Sequence, residues 1–111
     1  MKTFSDDEMK ALLPTAKAYS VVILRAGPKR GSADAPPIVW EHGRRNFSLR
    51  DDGKLAVVLP VVDGSDVCGI GVFIGSVDET IAIMADDPGV RAGVFTFDVH
   101  PCLGFPGDAL P

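Results

Sequence analysis

The sequence predicts an α+β protein whose four strands and two main helices follow the order β-α-β-β-α-β. Three observations support this order. Four short segments are rich in Val, Ile and Phe, as β-strands are. Two segments between them have apolar residues at helical spacing. Clusters of Gly, Pro, Asp and Ser separate the segments and are typical of turns. The length of 111 residues favours a single domain.

Residues 1–18 are predicted to be an N-terminal extension with a short helix. Ser5 and Glu8 have the spacing of a capping box, in which both side chains bond to free backbone amides at a helix start. Pro14 is expected to end this helix near Leu13. The extension is interpreted as an arm that packs on a neighbouring molecule.

The first strand is predicted at residues 19–25, and a loop of Gly, Pro, Lys, Arg and Ser follows at residues 27–36. The loop is interpreted either as a plain surface loop or as the rim or lid of a pocket. Its pair Lys29-Arg30, like Arg44-Arg45 further along, is interpreted as a solvated edge.

A helix is predicted at residues 37–51, with Asp52-Gly53 as its stop. Spacing of 100° per residue divides its side chains between a buried and an exposed face. His42 falls at the edge between the two, where a cleft can open between helix and sheet. The buried face is expected to hold Val39, Trp40, Gly43 and Phe47, with Trp40 and Phe47 in the core. Glu41, Arg44 and Arg45 are expected to point outward, and Ile38, Asn46 and Leu49 to lie beside His42.

A hairpin follows, with strands predicted at residues 54–62 and 68–74. The first of these strands is apolar on both faces. One face is expected to hold Leu55, Val57, Leu59 and Val61, and the other Ala56, Val58 and Val62. The strand at residues 19–25 has the same property, which is typical of strands buried on both faces.

The last part of the chain is predicted to hold a second helix and a final strand. Ser76 and Glu79 form another capping box. Pro88 disfavours a helical Asp87, so this helix is expected to end there. The strand is predicted at residues 94–100, and residues 102–111 are expected to be an irregular tail. The strand is expected to carry Phe95, Phe97 and Val99 on one face.

This order of elements is that of the ferredoxin-like fold, with a four-stranded antiparallel sheet. Its two helices can cover only one face of the sheet. Because the strands are apolar on both faces, a second copy of the chain is the simplest cover for the other face. The sequence therefore predicts a homodimer whose sheets pack face to face, which is called a dimeric α/β barrel.

Composition argues against several classes of protein. The net charge is −4, from 11 basic and 15 acidic residues, which argues against a nucleic-acid-binding surface. No apolar run approaches the ~20 residues of a membrane helix, and the charged start lacks the apolar segment of a signal peptide. A cytoplasmic protein is expected. Cys68 and Cys102 are expected to be free thiols there, although a disulfide between them remains an alternative.

No cofactor or metal site is predicted. The sequence contains no P-loop, no G-x-G-x-x-G and no serine-nucleophile motif. The spacing of His42, His100, Cys68 and Cys102 matches no standard zinc site. His100 is expected on the sheet face that meets the partner chain.

Several runs of this sequence resemble those of the YCII-related (YciI-like) proteins. They are the helix with His42, Asp52-Gly53-Lys54-Leu55, the hairpin glycines Gly69 and Gly71, Asp78-Glu79, Asp87-Pro88-x-Val90-x-Ala92-Gly93 and Asp98-Val99-His100-Pro101. The resemblance covers about residues 19–101. It implies a ferredoxin-like dimer with a His-Asp dyad, which carries over to His42 and Asp87. One branch of the family is a dehydrochlorinase acting on a chlorinated hydroxyhydroquinone, many members have no assigned reaction, and some occur with sigma factors.

The candidate active site follows from these residues. An imidazole can accept or donate a proton near neutral pH, so His42 is predicted to be the base and Asp87 the residue that orients it. The alternatives are a helix-edge histidine bonded to a carbonyl, and a carboxylate that only closes a turn. Asp86 is a competitor for the role of Asp87. Asn46, Leu59 and Pro60 are predicted to contact substrate, and Leu59 replaces the glycine that the family usually has there.

The predicted function is that of a small cofactor-free enzyme. It would carry out elimination, isomerisation or a related lyase step on a small, cyclic or carbonyl-containing substrate. The alternative is a non-catalytic dimer that binds a small molecule or serves as an accessory or sensing protein. A third class, a cofactor-independent oxygenase, rests on analogy of fold alone.

Overall fold

In the computed structural model, which describes residues 1–111, the chain forms a four-stranded antiparallel sheet with helices against one face. The strands are β1 (Lys17–Ala26), β2 (Leu55–Pro60), β3 (Val67–Phe73) and β4 (Phe95–Gly104). The helices are α1 (Asp6–Leu12), α2 (Ala35–Asp51), α3 (Val77–Ala85) and α4 (Pro88–Arg91), and a 3₁₀ turn (Leu13–Thr15) follows α1. The predicted order β-α-β-β-α-β is confirmed, with α4 as an additional single turn.

The sheet has the strand order β2-β3-β1-β4, which is the ferredoxin-like arrangement. Val22 of the central strand β1 lies opposite Gly71 of β3 and Val99 of β4. The pairing of β1 with β4 extends over the whole of both strands, from Lys17 opposite Gly104 to the other end.

The hydrophobic core lies between the helices and one face of the sheet. Val22 and Leu24 of β1 are buried, whereas Val21 and Ile23, which alternate with them, are only half-buried. The buried core consists of Val22, Leu24, Ala35, Leu49, Leu55, Phe73, Met84, Val94 and Phe95. Phe97 and Val99 pack against it on the same face as Phe95, which confirms the predicted apolar face of the last strand.

Both capping boxes are present as predicted. In α1 the Glu8 amide donates to the Ser5 hydroxyl at 3.2 Å, and the Glu8 carboxylate accepts from the Ser5 amide at 3.1 Å. In α3 the Glu79 amide donates to the Ser76 hydroxyl at 3.1 Å. Each side chain satisfies a backbone amide that has no partner inside the helix.

Helix α2 is rotated relative to the prediction. Trp40 is 70% exposed and Phe47 66% exposed, so the prediction that both lie in the core is wrong for the single chain. The side turned to the sheet holds Ala35, Ile38, Val39, His42, Arg45, Asn46 and Leu49, all buried or half-buried. This side includes Arg45, for which the sequence predicts a position on the solvent side of the helix. The polar side chains on this side find partners on other elements, and those contacts determine the rotation of the helix.

A β-bulge corrects the predicted faces of β2. The register shifts between Leu55, which pairs with Phe73, and Val57, which pairs with Val72. The extra residue reverses the alternation of side chains. Leu55 therefore faces the helices, whereas Val57 and Leu59 lie on the opposite face.

Most other boundaries differ from the predictions by about two residues, and two differences have a physical reason. β4 continues to Gly104, where an irregular tail was expected from residue 102, because its last residues pair with Lys17 to Ser20 of a longer β1. α3 ends at Ala85, and Asp87 begins the separate turn α4. Gly53 follows α2 with a φ of 72°, the left-handed conformation of a helix stop.

The face of the sheet away from the helices has no cover within the chain. We call it the open face; its apolar members are Val21, Ile23, Val57, Leu59, Ile70 and Val72. Helix α1 buries none of its residues, and with this segment the molecule measures 56 × 29 × 22 Å. None of the helices has the length and apolar character needed to cross a membrane.

Candidate active site

His42 and Asp87 meet between α2 and the start of α4. The imidazole Nδ1 lies 2.8 Å from Oδ1 of Asp87. Asp87 is fully buried and the His42 side chain is 11% exposed. An ionised carboxylate only accepts hydrogen bonds, so Nδ1 carries the proton and donates it to Asp87. The two residues, far apart in the sequence, thus form a close acid/base pair.

Asp87 is held in place by its own helix. Its backbone is extended, at φ −68° and ψ 135°, directly before Pro88 at the first position of α4, as expected for a residue before proline. Its Oδ2 accepts from the amides of Gly89 at 2.9 Å and Val90 at 3.2 Å. Asp87 is therefore the N-cap of α4, and Oδ1 remains available for His42.

Close packing fixes the same turn. A Cβ on Gly89 would lie 2.5 Å from the Phe95 ring and 3.1 Å from Oδ2 of Asp87. Only glycine fits between the carboxylate and the ring at this distance. The ring of Phe95 in turn packs against the imidazole of His42, with centroids 4.8 Å apart.

The environment of Asp87 favours its ionised form. Burial by itself would raise the pKa of this carboxyl. The hydrogen bond and the charge of His42 oppose that effect, and so do the amides of Val90 and Gly89, so that the pKa lies below its usual value. The carboxylate is therefore charged at neutral pH and can stabilise a positive charge on His42.

Asn46 contacts the other nitrogen of the imidazole. Its side-chain amide donates to Nε2 of His42 at 3.2 Å, one helical turn along α2. This assignment follows from the network, because Nδ1 already carries the proton and a neutral imidazole has one acceptor nitrogen. Nε2 thus has the lone pair, which accepts from Asn46 in the free chain. To take a proton from a substrate, Nε2 must exchange this hydrogen bond for a contact with the substrate.

Arg45 lies behind the pair. One guanidinium nitrogen donates to the Ile83 carbonyl at 2.7 Å, and the other, Nη1, lies 3.7 Å from Oδ1 of Asp87. Nη1 is buried and makes no hydrogen bond. The expectation that Arg45 points to solvent is therefore wrong, because the helix places it against the buried carboxylate.

A cavity of about 560 Å³ opens beside His42, between α2 and the helix side of the sheet. Of the 22 residues that line it, 13 are hydrophobic. Gly69 and Gly71 of β3 form part of its floor. A Cβ on Gly71 would lie 3.2 Å from the Phe73 ring, so this floor has no room for a larger residue without rearrangement.

The structure brings most of the proposed site residues to this cavity. His42, Asn46 and Pro60 line it. Asp87 does not line the cavity but contacts His42, which does. Leu59 is not among the residues that line it. The residue that differs from the family pattern therefore does not narrow the cavity.

The second histidine and the cysteines form no site with the pair. His100 is exposed on β4, opposite Val21. Cys68 and Cys102 are free thiols. The chain contains no group of three or more His, Cys, Asp or Glu side chains arranged to hold a metal ion.

Sequence reasoning missed Arg30 as a residue of this cavity. Arg30 lies in the loop between β1 and α2, and it lines the cavity with its guanidinium 5.9 Å from the centroid of the Phe95 ring. The sequence alone predicts a pocket rim or a plain surface loop here, and it favours a solvated edge for Lys29-Arg30. The available signal was a basic residue in a Gly- and Pro-rich loop next to a candidate cleft.

The fold and this pair of residues define a ferredoxin-like α+β protein with a histidine-aspartate pair beside a cavity. One of eight matching chains of solved structure is 5-chloro-2-hydroxyhydroquinone dehydrochlorinase from Burkholderia phenoliruptrix AC1100, in complex with 2,5-dihydroxybenzoquinone. The TM-score is 0.51 at 16% identity, over 76% of this chain and 91% of that one. At this identity the likeness shows the shared fold. No family model matches the chain, and no curated protein matches it.

Proposed function

We propose that this protein is a cofactor-free acid/base enzyme that acts on a small, cyclic substrate bound in the cavity. The observation that carries the proposal is the 2.8 Å contact between His42 Nδ1 and Asp87 Oδ1 beside a cavity that His42 lines. A buried carboxylate that orients an imidazole at the wall of a pocket is the arrangement of a general base.

In this proposal Nε2 of His42 removes a proton from the substrate. The electron pair of the broken bond to hydrogen becomes a double bond, and in an elimination a leaving group departs from the neighbouring carbon with its own electron pair. In an isomerisation the imidazolium returns the proton at another carbon. Asp87 keeps the Nδ1 proton in place and stabilises the imidazolium, because its carboxylate is ionised.

The shared fold supports this class of reaction. We propose that the chain is a member of the YCII-related family, and that its substrates include hydroxylated quinones and hydroquinones, the class named for the dehydrochlorinase of similar fold. The mostly apolar wall of the cavity suits a planar ring of this kind.

Turnover with 5-chloro-2-hydroxyhydroquinone, followed as chloride release, tests the proposal. Removing a general base lowers rates by typically 10²- to 10⁴-fold, so His42→Ala and Asp87→Asn are each expected to lower kcat by at least ~100-fold. His100→Ala is the matched control, since His100 is exposed on β4 and its loss should leave kcat unchanged.

Binding of 2,5-dihydroxybenzoquinone, measured by calorimetry, separates the alternatives. Binding without turnover of any quinol would favour the non-catalytic binding or accessory protein. Full activity of both His42→Ala and Asp87→Asn would rule out the pair as the acid/base centre. Consumption of dioxygen with a quinol would favour the oxygenase.

We also propose a homodimer that covers the open face. Six apolar side chains on this face remain half-buried or exposed in the single chain, an arrangement typical of an interface. Met9, Leu12 and Leu13 of the N-terminal segment are 43%, 47% and 54% exposed, and we propose that this arm packs on the partner.

Light scattering tests the dimer. The wild type should have twice the mass of one chain, and Ile23→Arg should have the mass of one chain. A stable wild-type monomer at micromolar concentration would contradict the dimer.

A cytoplasmic, reducing location is part of the same proposal. Cys102 lies opposite Tyr19 and Cys68 beside Leu24 and Arg25, which places them roughly 16 Å apart along β1. A disulfide requires a Cα separation below about 7 Å. The two thiols thus cannot pair within one chain, which suits a compartment where thiols stay reduced.

A further inference from the structure

We propose that Arg30 binds an anionic oxygen of the ligand, so that the cavity selects small planar organic anions such as phenolates, enolates or carboxylates. This inference rests on the proposed function of the cavity and specifies its substrate class. It starts from Arg30 itself, a residue outside the histidine-aspartate pair.

The charge of the cavity wall is unbalanced. Among its 22 lining residues, Arg30 is the only Lys, Arg, Asp or Glu, and 13 of the others are hydrophobic. Arg30 itself is exposed, so solvent screens its charge at long range, and its attraction acts mainly on an anionic atom bound directly at the guanidinium. The ionised Asp87 lies behind His42 and has Arg45 beside it, so Arg30 is the one formal charge that a ligand in the cavity can touch. A ligand with a negative charge at this position is therefore favoured over a neutral one of the same shape.

Arg30 has its donors free. Four of the six arginines, Arg25, Arg44, Arg45 and Arg91, each lie within 4.0 Å of a carboxylate. Arg30 makes no such ion pair, and its side chain makes no hydrogen bond within the chain. Arg50 has no such partner either, but it packs on Phe47 away from the cavity. A guanidinium has five N–H donors in a fixed fork that fits a carboxylate or two neighbouring oxygens. An unpaired arginine at a cavity wall is suited to such a ligand.

Arg30 is also positioned next to the acid/base pair. Its guanidinium lies 5.9 Å from the centroid of the Phe95 ring, and the imidazole of His42 packs on the same ring. The loop is tied to the segment after α4, because the Gly27 amide donates to the Val94 carbonyl at 2.8 Å and the Lys29 amide to the Gly93 carbonyl at 2.9 Å. An anion bound at Arg30 would thus lie in the part of the cavity that Phe95 and His42 also line.

The test compares 2-naphthoate with 2-naphthamide, a pair of planar probes of the same shape that differ in charge. Binding to the full chain is measured by calorimetry at neutral pH. The wild type is expected to prefer the anion, and Arg30→Gln should weaken naphthoate binding by about 10- to 100-fold while leaving naphthamide binding within about twofold. Arg30→Lys should restore part of the preference.

Lys29→Gln is the matched control, because it removes the same charge from the same loop at a residue that does not line the cavity. It should leave both affinities unchanged. An equal affinity of the wild type for both probes, or an equal loss with Lys29→Gln and Arg30→Gln, would overturn the proposal. His42→Ala separates it from the proposed function, since this variant should lose turnover and keep its preference for naphthoate.

Discussion

Helices α3 and α4 begin with the same device in two different settings. Ser76 caps α3 on an exposed turn, and its partner Glu79 belongs to the same helix. Asp87 caps α4 while fully buried, and its second oxygen accepts from His42 of another helix. The first cap is local and serves one helix. The second cap joins a helix start to a candidate catalytic residue, so any change to it affects both.

The largest effect should follow from removing the shared cap. Asp87→Ala leaves the amides of Gly89 and Val90 and the Nδ1–H of His42 without a buried acceptor. The loss of a cap and of buried hydrogen bonds is expected to lower the free energy of unfolding by about 3 kcal/mol. Urea denaturation measures it. Asp87→Asn keeps an acceptor oxygen and should lose less, and an Asp87→Ala loss below about 1 kcal/mol would show that the cap is not shared.

Acid should remove part of this stabilisation without a mutation. Because the folded state lowers the pKa of Asp87, its ionised form contributes stability above the unfolded pKa of about 3.9 and loses that contribution as the pH falls through the folded pKa. The difference in Tm between wild type and Asp87→Asn should be constant from neutral pH to about pH 5 and shrink below about pH 4. A difference that vanishes between pH 7 and pH 5 would indicate a raised pKa instead.

The local cap should have a smaller effect. Ser76→Ala removes the acceptor for the Glu79 amide and is expected to cost about 1 kcal/mol of unfolding free energy. Turnover should be unchanged, since Ser76 contacts neither His42 nor the cavity.

Ser5→Ala in α1 is the variant to compare with Ser76→Ala. Because α1 buries no residue, losing its cap should leave the global unfolding transition where it is, and an equal loss from both serines would mean that α1 folds with the core.

The smallest effect is expected at the carboxylate next to Asp87. Asp86 makes an exposed ion pair with Arg91 at 3.3 Å, with side-chain exposures of 72% and 69%. Such pairs contribute little, so Asp86→Asn should change the free energy of unfolding by less than about 0.5 kcal/mol. Its kcat should equal that of the wild type. A loss of activity with Asp86→Asn would reopen the choice between the two aspartates.

Much of the fold could be predicted from the sequence because its signals are local. A capping box needs only Ser and Glu three residues apart, and both boxes form. Pro88 alone predicts an extended Asp87. The pairing of His42 with Asp87 could be predicted because of the family resemblance and because each residue lies at the edge of its helix.

The rest depends on contacts between distant parts of the chain. A helical wheel assigns Trp40 and Phe47 to the core because it counts apolar residues, whereas α2 turns His42, Arg45 and Asn46 inward. These polar groups can be buried because they have partners. His42 donates to Asp87, and Arg45 donates to the Ile83 carbonyl and lies near the Asp87 carboxylate. The exposure of Arg30 to the cavity likewise depends on how the loop after β1 is tied to the segment after α4.

The double use of Asp87 gives the protein a built-in reporter. The amide protons of Gly89 and Val90 are bonded to the carboxylate that also accepts from the imidazole, so their exchange with solvent deuterium requires that the carboxylate let go. The amides bond to Oδ2 and the imidazole to Oδ1 of the same carboxylate, so a rotation of the Asp87 side chain out of the turn breaks both contacts. The exchange of two backbone amides, observable by NMR without a ligand, would give an upper limit on the fraction of time during which Asp87 has left the histidine.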